Sequence, residues 1–406
     1  MIPSHTPQQG LSPGGRFVFA LTSGLAVANV YYAQPLIDRI AADNQVGPAF
    51  AGSIVTATQI GYFLGLLLIV PLADAMDRRT LLLWQVRLLA VVLFLPALLT
   101  GEIAVWAAFF GVGMLSVVAQ TFVAYAADLA SGETRGRAVG TVTTGIILGV
   151  LLARTVSGTI ADLAGWRAVF IAAGVTTMLL LPALHRLIPA DARPRGTLSY
   201  GHLMVSTLTL FGQSAELRFR AGLAFLIFTA VTMLWTPMVL PLRASPFFLS
   251  HTQVGLFGLA GAVGALGASH AGKLADRGFA ERVTGAGLVA MLAAWLPVTL
   301  LGQSLMWLLL GVLLIDFGLQ SVHVSNQVNL HAGHEGVRGR LTAAYMLLYS
   351  AGCAIGSTLS TIIYHEAGWI GVCFAGAATS MIALMAWLIT ILRRVSRRTC
   401  TAKEGP

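Results

Sequence analysis

The sequence predicts an all-α membrane protein of twelve transmembrane helices, arranged as two pseudo-symmetric six-helix bundles. Three observations carry this expectation: an apolar composition, twelve stretches of spanning length with few charges, and an internal repeat. Of 406 residues, 56% are hydrophobic and 10% are charged. Soluble domains carry about 25% charged residues, because they must present a solvated surface. Mean hydropathy is +0.80. The net charge of +9 would suit nucleic acid only if the cations gathered on one surface within a motif. Here they fall in short clusters between apolar runs, so no nucleic-acid partner is expected. Cys353, Cys373 and Cys400 show neither metal nor redox spacing, and no cofactor is expected.

Crossing ~30 Å of hydrocarbon takes about 20 apolar residues in a helix. Stretches of that kind free of Asp, Glu, Lys and Arg lie at 17–37, 50–73, 103–127, 221–242, 283–301, 341–364 and 367–392. Windows 80–100 and 138–161 each hold one arginine, Arg87 and Arg154. Windows 168–188, 252–272 and 305–330 complete the set, the last containing Asp316 and His323. Arg16 and the apolar run to Ala28 imitate a secretion signal. The run continues through Tyr31 and Tyr32 to Ile37, so it is read as the first span.

Lys and Arg mark the cytoplasmic side of a membrane protein. With both termini inside, twenty of the 25 basic residues fall on inner segments and only Arg39, Arg167 and Arg243 on outer ones. The expected organisation is a cytoplasmic segment 1–16, a bundle 17–188, a cytoplasmic linker 189–219, a bundle 220–392 and a cytoplasmic tail 393–406. Residues 198–219 mix Leu203, Leu208 and Phe211 with polar side chains, the pattern of a short helix lying at the interface.

The halves repeat almost without gaps. Leu72-Ala73-Asp74 recurs as Leu274-Ala275-Asp276 and Pro35 as Pro237, at a shift of 202. At a shift of 203, Arg135-Gly136-Arg137 recurs as Arg338-Gly339-Arg340, Gly149 as Gly352, and Gly165-Trp166 as Gly368-Trp369. Repeats of this kind place a substrate site near the midplane between the halves.

On these residues the whole chain resembles the major facilitator superfamily. The loop after the second helix in that family reads G-x-x-x-D-R-x-G-R-R. Here Val70 to Arg79 keeps Asp74, Arg78 and Arg79 but lacks both glycines and the first arginine. The copy Gly272-Lys273-Leu274-Ala275-Asp276-Arg277 stands closer to the pattern. The fifth helix resembles the family's antiporter motif through Gly140, Gly149 and Gly158, while Ala153, Arg154 and Ser157 depart from it. The stretches Val27 to Pro35, Leu151 to Gly158 and Asn326-Gln327 are similar to a bacterial branch of efflux carriers. The resemblance implies a cytoplasmic gate built from Asp74, Arg78, Arg79, Arg135, Asp276, Arg277 and Arg338. The same residues would also set topology as simple inner-side charges.

Charges inside a bilayer cost roughly 2.5–3.5 kcal/mol each on insertion scales and mark function by default. Asp316, Gln320, His323 and Gln327 follow one another at steps of four, three and four, which keeps them on one helix face. That stripe is either the wall of a proton and substrate path or a hydrogen-bond seam between helices. Arg154, at a similar depth, is expected to pair with Asp316 in some state, to bind an anionic substrate group, or to meet carbonyls and Ser157. Gln120 maps onto His323 under the repeat. Asn29, Tyr32, Gln59 and Trp235 complete the candidate path. Five glycines from Gly255 to Gly267 read as a packing stripe. His331, His334 and Glu335 match no zinc motif, so no metal is expected.

The expected function is secondary active transport of a small organic solute, with proton-coupled efflux by alternating access leading. Proton-coupled uptake and a non-transporting sensor are the alternatives. No convergent nucleophile or acid–base set points to an enzyme, and no ATP-binding motif occurs. The setting is the bacterial inner membrane, multi-pass. The partners are lipid, a small-molecule substrate and protons, and the chain is expected to be a monomer.

Overall fold

The computed structural model describes residues 12–129, 132–188, 200–331 and 338–403, and every regular element among them is helical. The helices are α1 (Pro13–Tyr31), α2 (Ile37–Asp43), α3 (Pro48–Leu68), α4 (Leu72–Ala75), α5 (Arg78–Val92), α6 (Leu95–Leu98), α7 (Glu102–Ser116), α8 (Val118–Leu129), α9 (Gly132–Ala164) and α10 (Trp166–Leu187). They continue as α11 (Tyr200–Gln213), α12 (Ala215–Trp235), α13 (Val239–Arg243), α14 (His251–Leu274), α15 (Ala280–Thr299), α16 (Leu305–His331) and α17 (Arg338–Lys403). Among the described residues, nine helical stretches are long and apolar enough to cross a membrane. The last, Gly339–Arg394, is interrupted at Gly368, whose φ of 65° is not helical. The chain divides into two compact units. One comprises residues up to Leu208 with Phe248–Gly255, the other Thr209–Phe247 with Leu256 onward.

Local chemistry sets the helix ends. Ser12 caps α1 by accepting from Gly15 N–H, and Pro13 opens the helix, where its missing donor costs nothing. Asp77 and Ser214 cap α5 and α12 in the same way. Proline, which lacks an N–H and clashes with the preceding turn, breaks both repeat copies alike. α1 stops at Tyr31 and Pro35 lies in a short 3₁₀ turn before α2; α12 stops at Trp235 and Pro237 precedes α13. The first span is therefore a helix and a turn rather than one rod over 17–37. Gly165 (φ 84°) and Gly368 (φ 65°), paired in the repeat, both take a positive φ with extended ψ, a backbone that glycine alone adopts readily, where one helix gives way to the next. The surface segment predicted at 198–219 contains α11, and Tyr200 Oη donates to Leu68 O at 2.5 Å.

Within each unit the long helices meet backbone to backbone at glycines. In the first unit, Cβ atoms at Gly145 and Gly149 would strike the carbonyls of Ala20 and Gly24, joining α9 to α1. Gly61 and Gly113 join α3 to α7 similarly, against Phe110 O and Thr58 O. Phe19 fills the space beside α1, edge-on to Phe122 at 5.0 Å, and Phe109 meets Phe170 at 5.2 Å. In the second unit, Gly352 and Gly356 of α17 lie against the carbonyls of Phe225 and Thr229 on α12, and Gly318 of α16 lies against Gly287 O of α15. Gly149 and Gly352, one pair under the repeat, perform the same task. Elsewhere large apolar side chains face outward, as with Ile171, Val175, Met178 and Leu179 on α10 and Met381, Met385 and Ile389 on α17. Stripes of this extent are foreign to a water-facing surface and suit hydrocarbon.

Gly140 differs from its two motif companions: nothing lies within 4 Å of a Cβ placed there. Gly149→Ala is therefore expected to destabilise the protein by about 1–3 kcal/mol through overpacking. Gly140→Ala should stabilise it by up to about 1 kcal/mol through helix propensity. Thermal unfolding in detergent, with the two variants side by side, reads the opposite signs.

Candidate functional site

In the second unit the polar face of α16 is engaged along its length. Asp316 is half-buried and turned toward α12 and α14. Its Oδ1 lies 3.5 Å from Trp235 Nε1, and its Oδ2 occupies the space a side chain at Gly261 would need. Glycine at 261 thus admits a carboxylate against the α14 backbone. Two turns on, His323 Nδ1 is 3.0 Å from Tyr345 Oη and its Nε2 is 3.0 Å from Gln327 Nε2. With the Gln327 amide donating, the ring is neutral and carries its proton on Nδ1. Rotating that amide would offer an oxygen instead and satisfy the protonated ring, so Gln327 can serve both states. Phe228 packs edge-on to both His323 and Tyr349, at 5.5 and 4.0 Å. Gln320 is half-buried on the same stripe.

In the first unit, Arg154 is 8% exposed. Its Nε donates to Gln34 Oε1 at 2.9 Å, and its guanidinium stands 5.3 Å from the Tyr31 ring centroid. The helix break at Pro35 is what brings Gln34 to it. Gln120 Nε2 donates to Tyr62 Oη at 3.2 Å, and Gln59 lies buried on α3, one turn before Tyr62. Tyr32 is buried edge-on to Phe170. Asn29 is 2% exposed, and both polar atoms of its amide lack a hydrogen-bond partner. Such a group costs about 1–3 kcal/mol and so requires an explanation beyond packing.

Residues 19–334 match the Major Facilitator Superfamily. The chain belongs to that superfamily. It is 42% identical over 381 residues to "Uncharacterized transporter YgaY" of Escherichia coli O157:H7, covering 94% of this chain and 96% of that one. It is 30% identical over 409 residues to "Probable transporter SCO4007" of Streptomyces coelicolor, covering 96% and 93%. Among solved structures it is similar to a bacterial homologue of the human lysosomal transporter Spinster, crystallised inward-facing and unoccupied. That likeness has a TM-score of 0.71 at 16% identity and covers 93% of this chain and 94% of the other. The protein is thus a multi-pass membrane transporter with the superfamily's fold, and not an enzyme.

At the inner ends expected of a superfamily gate, Arg78 forms an ion pair with Asp128 and donates to Ala73 O at 2.9 Å, while Arg79 donates to His185 O at 3.1 Å. Arg277 is exposed. The side chains of Asp74, Arg135, Asp276 and Arg338 lie outside the described residues. So does the run 332–337 with His334 and Glu335, whereas His331 Nε2 meets Thr342 Oγ1 at 2.9 Å. Arg220, the first residue of the expected second bundle, is fully buried in α12. It pairs with Glu216 at 2.7 Å and with Glu281, and lies 3.3 Å from Asn326 Oδ1. Arg394 closes the cluster on Glu216 at 2.5 Å. The i, i+4 spacing of Glu216 and Arg220 was the available signal. His251, whose partners Asp38 and Asp162 lie 213 and 89 residues away, offered none.

Two outcomes are expected. Asn29→Leu removes the orphaned amide at similar volume and should raise unfolding stability by about 1–3 kcal/mol while impairing transport; a neutral or lower melting temperature contradicts this. Asp43 accepts from Trp166 Nε1 and Arg167 Nη1, both at 2.8 Å. Burial pushes its pKa up, but these bonds and the charges of Arg39 and Arg167 outweigh it and hold the carboxyl below its ordinary 3.8. A carboxylate depressed on folding stabilises above its unfolded pKa, and that stability is lost as pH falls through the folded value. Asp43→Asn should therefore weaken the protein near neutrality and flatten the acid limb of its melting profile below about pH 4.

Proposed function

We propose that this transporter is a proton-coupled secondary carrier that exports a small organic solute by alternating access. The observation that carries the reading is Asp316: an ionisable group deep in α16, set against a glycine backbone and an indole and aligned with His323. A carboxyl placed among protein groups inside a span can exchange a proton as its surroundings change, and bilayer burial makes its charge costly enough to matter. Gln320 and Gln327 line the same face of α16, with Trp235 beside Asp316, and the first unit holds its own polar set in Arg154, Gln120, Asn29, Tyr32 and Gln59. Export is favoured by the antiporter-like glycines of α9, of which Gly149 and Gly158 make close backbone approaches.

The proposed topology has twelve spans. The nine apolar stretches become twelve when Gly368 divides the last and α1 and α14 are added. Both termini lie on the cytoplasmic side of a bacterial inner membrane, with Arg78 and Arg79 at the cytoplasmic gate, and the chain works as a monomer.

In inside-out vesicles with an acidified lumen, an exported compound should release protons from the lumen, and Asp316→Asn should abolish that release. Coupled transport that persists unchanged across pH in Asp316→Asn would defeat the proton role. Compound movement with the gradient reversed in sign would turn the assignment to uptake.

A further inference from the structure

α5 carries a charge on a face that is otherwise apolar and outward. Trp84, Leu88 and Val91 are 54%, 46% and 54% exposed on the first unit, and Arg87 is exposed among them. Trp84, Arg87 and Val91 follow at steps of three and four, so they share one helix face. The stretch Arg78–Leu98 is long and apolar enough to cross a bilayer. Arg87 lies about seven residues into the expected window 80–100, or ~10 Å at 1.5 Å per residue. Arginine inside a span is costly and almost always faces the bundle interior. This one faces lipid.

The direction of the side chain shows where its charge goes. Cα–Cβ bonds in a helix lean toward its N-terminus, and α5 begins at Arg78. The guanidinium follows that lean, standing 5.9 Å from the centroid of the Trp84 ring, one turn nearer that end. A stem laid along apolar surface with its head carried toward the headgroups is snorkelling, and indole is the amphipathic ring that membrane interfaces collect. Among the described residues no carboxylate pairs with Arg87. Asp128 is taken by Arg78, and Asp77 is held at the Thr80 amide. α10 ends beside the start of α5, with Arg79 donating to His185 O at 3.1 Å. It adds exposed His185 and Arg186 there, and no acid. A second copy of the chain has no carboxylate to offer at this depth either. Asp316 is the one acid inside the twelve expected spans, and it is turned toward α12 and α14. What remains is the anion that the bilayer itself carries.

We propose that Arg87 and Trp84 bind the phosphate of a membrane phospholipid held against the outward face of α5, in the leaflet at its N-terminal end. A guanidinium offers parallel N–H donors that match phosphate oxygens, and the indole backs the cation from the other side. Arg186 at the rim favours headgroups of net negative charge. The site lies wholly on the first unit and is separate from Asp316. The topology proposed above decides only that the leaflet is the cytoplasmic one.

Native mass spectrometry of the full chain in detergent tests this. The protein is titrated with phosphatidylglycerol, with a diglucosyl diacylglycerol that lacks phosphate, and with inorganic phosphate. Phosphatidylglycerol should bind. Arg87→Leu, which makes the lipid face wholly apolar, should weaken one binding event about tenfold or more, the ratio that a charge-assisted hydrogen bond supports. Trp84→Leu should weaken the same event less. The glycolipid and inorganic phosphate should not displace the phospholipid. Equal phosphatidylglycerol affinity in Arg87→Leu and the unaltered chain overturns the proposal, as does equal affinity for the glycolipid or displacement by inorganic phosphate at lipid concentrations. A dimer that Arg87→Leu converts to monomer overturns it too, because the partner is then a second copy. Should Arg87→Leu fail to fold, Arg87→Gln is held to the same outcomes. The proton assay on Asp316 does not read lipid retention, so either result can fail without the other.

Discussion

The structure depends on helices approaching until glycine lies against a neighbouring carbonyl. In lipid there is no hydrophobic gain from bringing two apolar helices together, so association rests on close van der Waals contact and on the few polar links that lipid cannot supply. α9 on α1, α7 on α3, α17 on α12 and α16 on α15 all use this device. The outward faces of the same helices carry Ile, Leu, Met and Val without selective partners. The inner seams are specific and the outward faces of these helices are merely apolar.

Close approach also determines where polar groups can go. Asp316 finds room because residue 261 has no side chain, and the Asp162 carboxylate reaches the α14 amides because residue 158 has none. Buried charge in the second unit is met by several partners rather than one. Arg220 has two glutamates and an asparagine. A buried ion left alone costs several kcal/mol, so shared coordination is what lets such residues persist inside the protein. Asn29 and Gln85 differ from these as buried amides whose polar atoms have no hydrogen-bond partner.

Much of the helical pattern could be read in advance, because the bilayer reduces it to length and hydropathy. The repeat was legible for a related reason. The residues that recur, Pro35 with Pro237, Gly149 with Gly352 and Gly165 with Gly368, are those whose backbone chemistry breaks, packs or ends a helix. The polar stripe of α16 followed from helical periodicity. The Arg220 cluster showed only the i, i+4 spacing of Glu216 and Arg220, and the His251 contacts gave no local signal, since their members lie up to 213 residues apart. The motif likeness in α9 grouped Gly140 with Gly149 and Gly158, and only packing separates them.

The sequence by itself determined that this chain lives in a membrane, which stretches form its long apolar helices, and which face of α16 is polar. Those properties follow from transfer of single segments out of water and from bond geometry along the chain. Tertiary structure alone decided the partners: Asp316 with Trp235 and Gly261, Arg154 with Gln34, and His251 with Asp38 and Asp162. Hydrogen bonds and ion pairs act over a few ångströms in space, a distance that order along the chain does not encode.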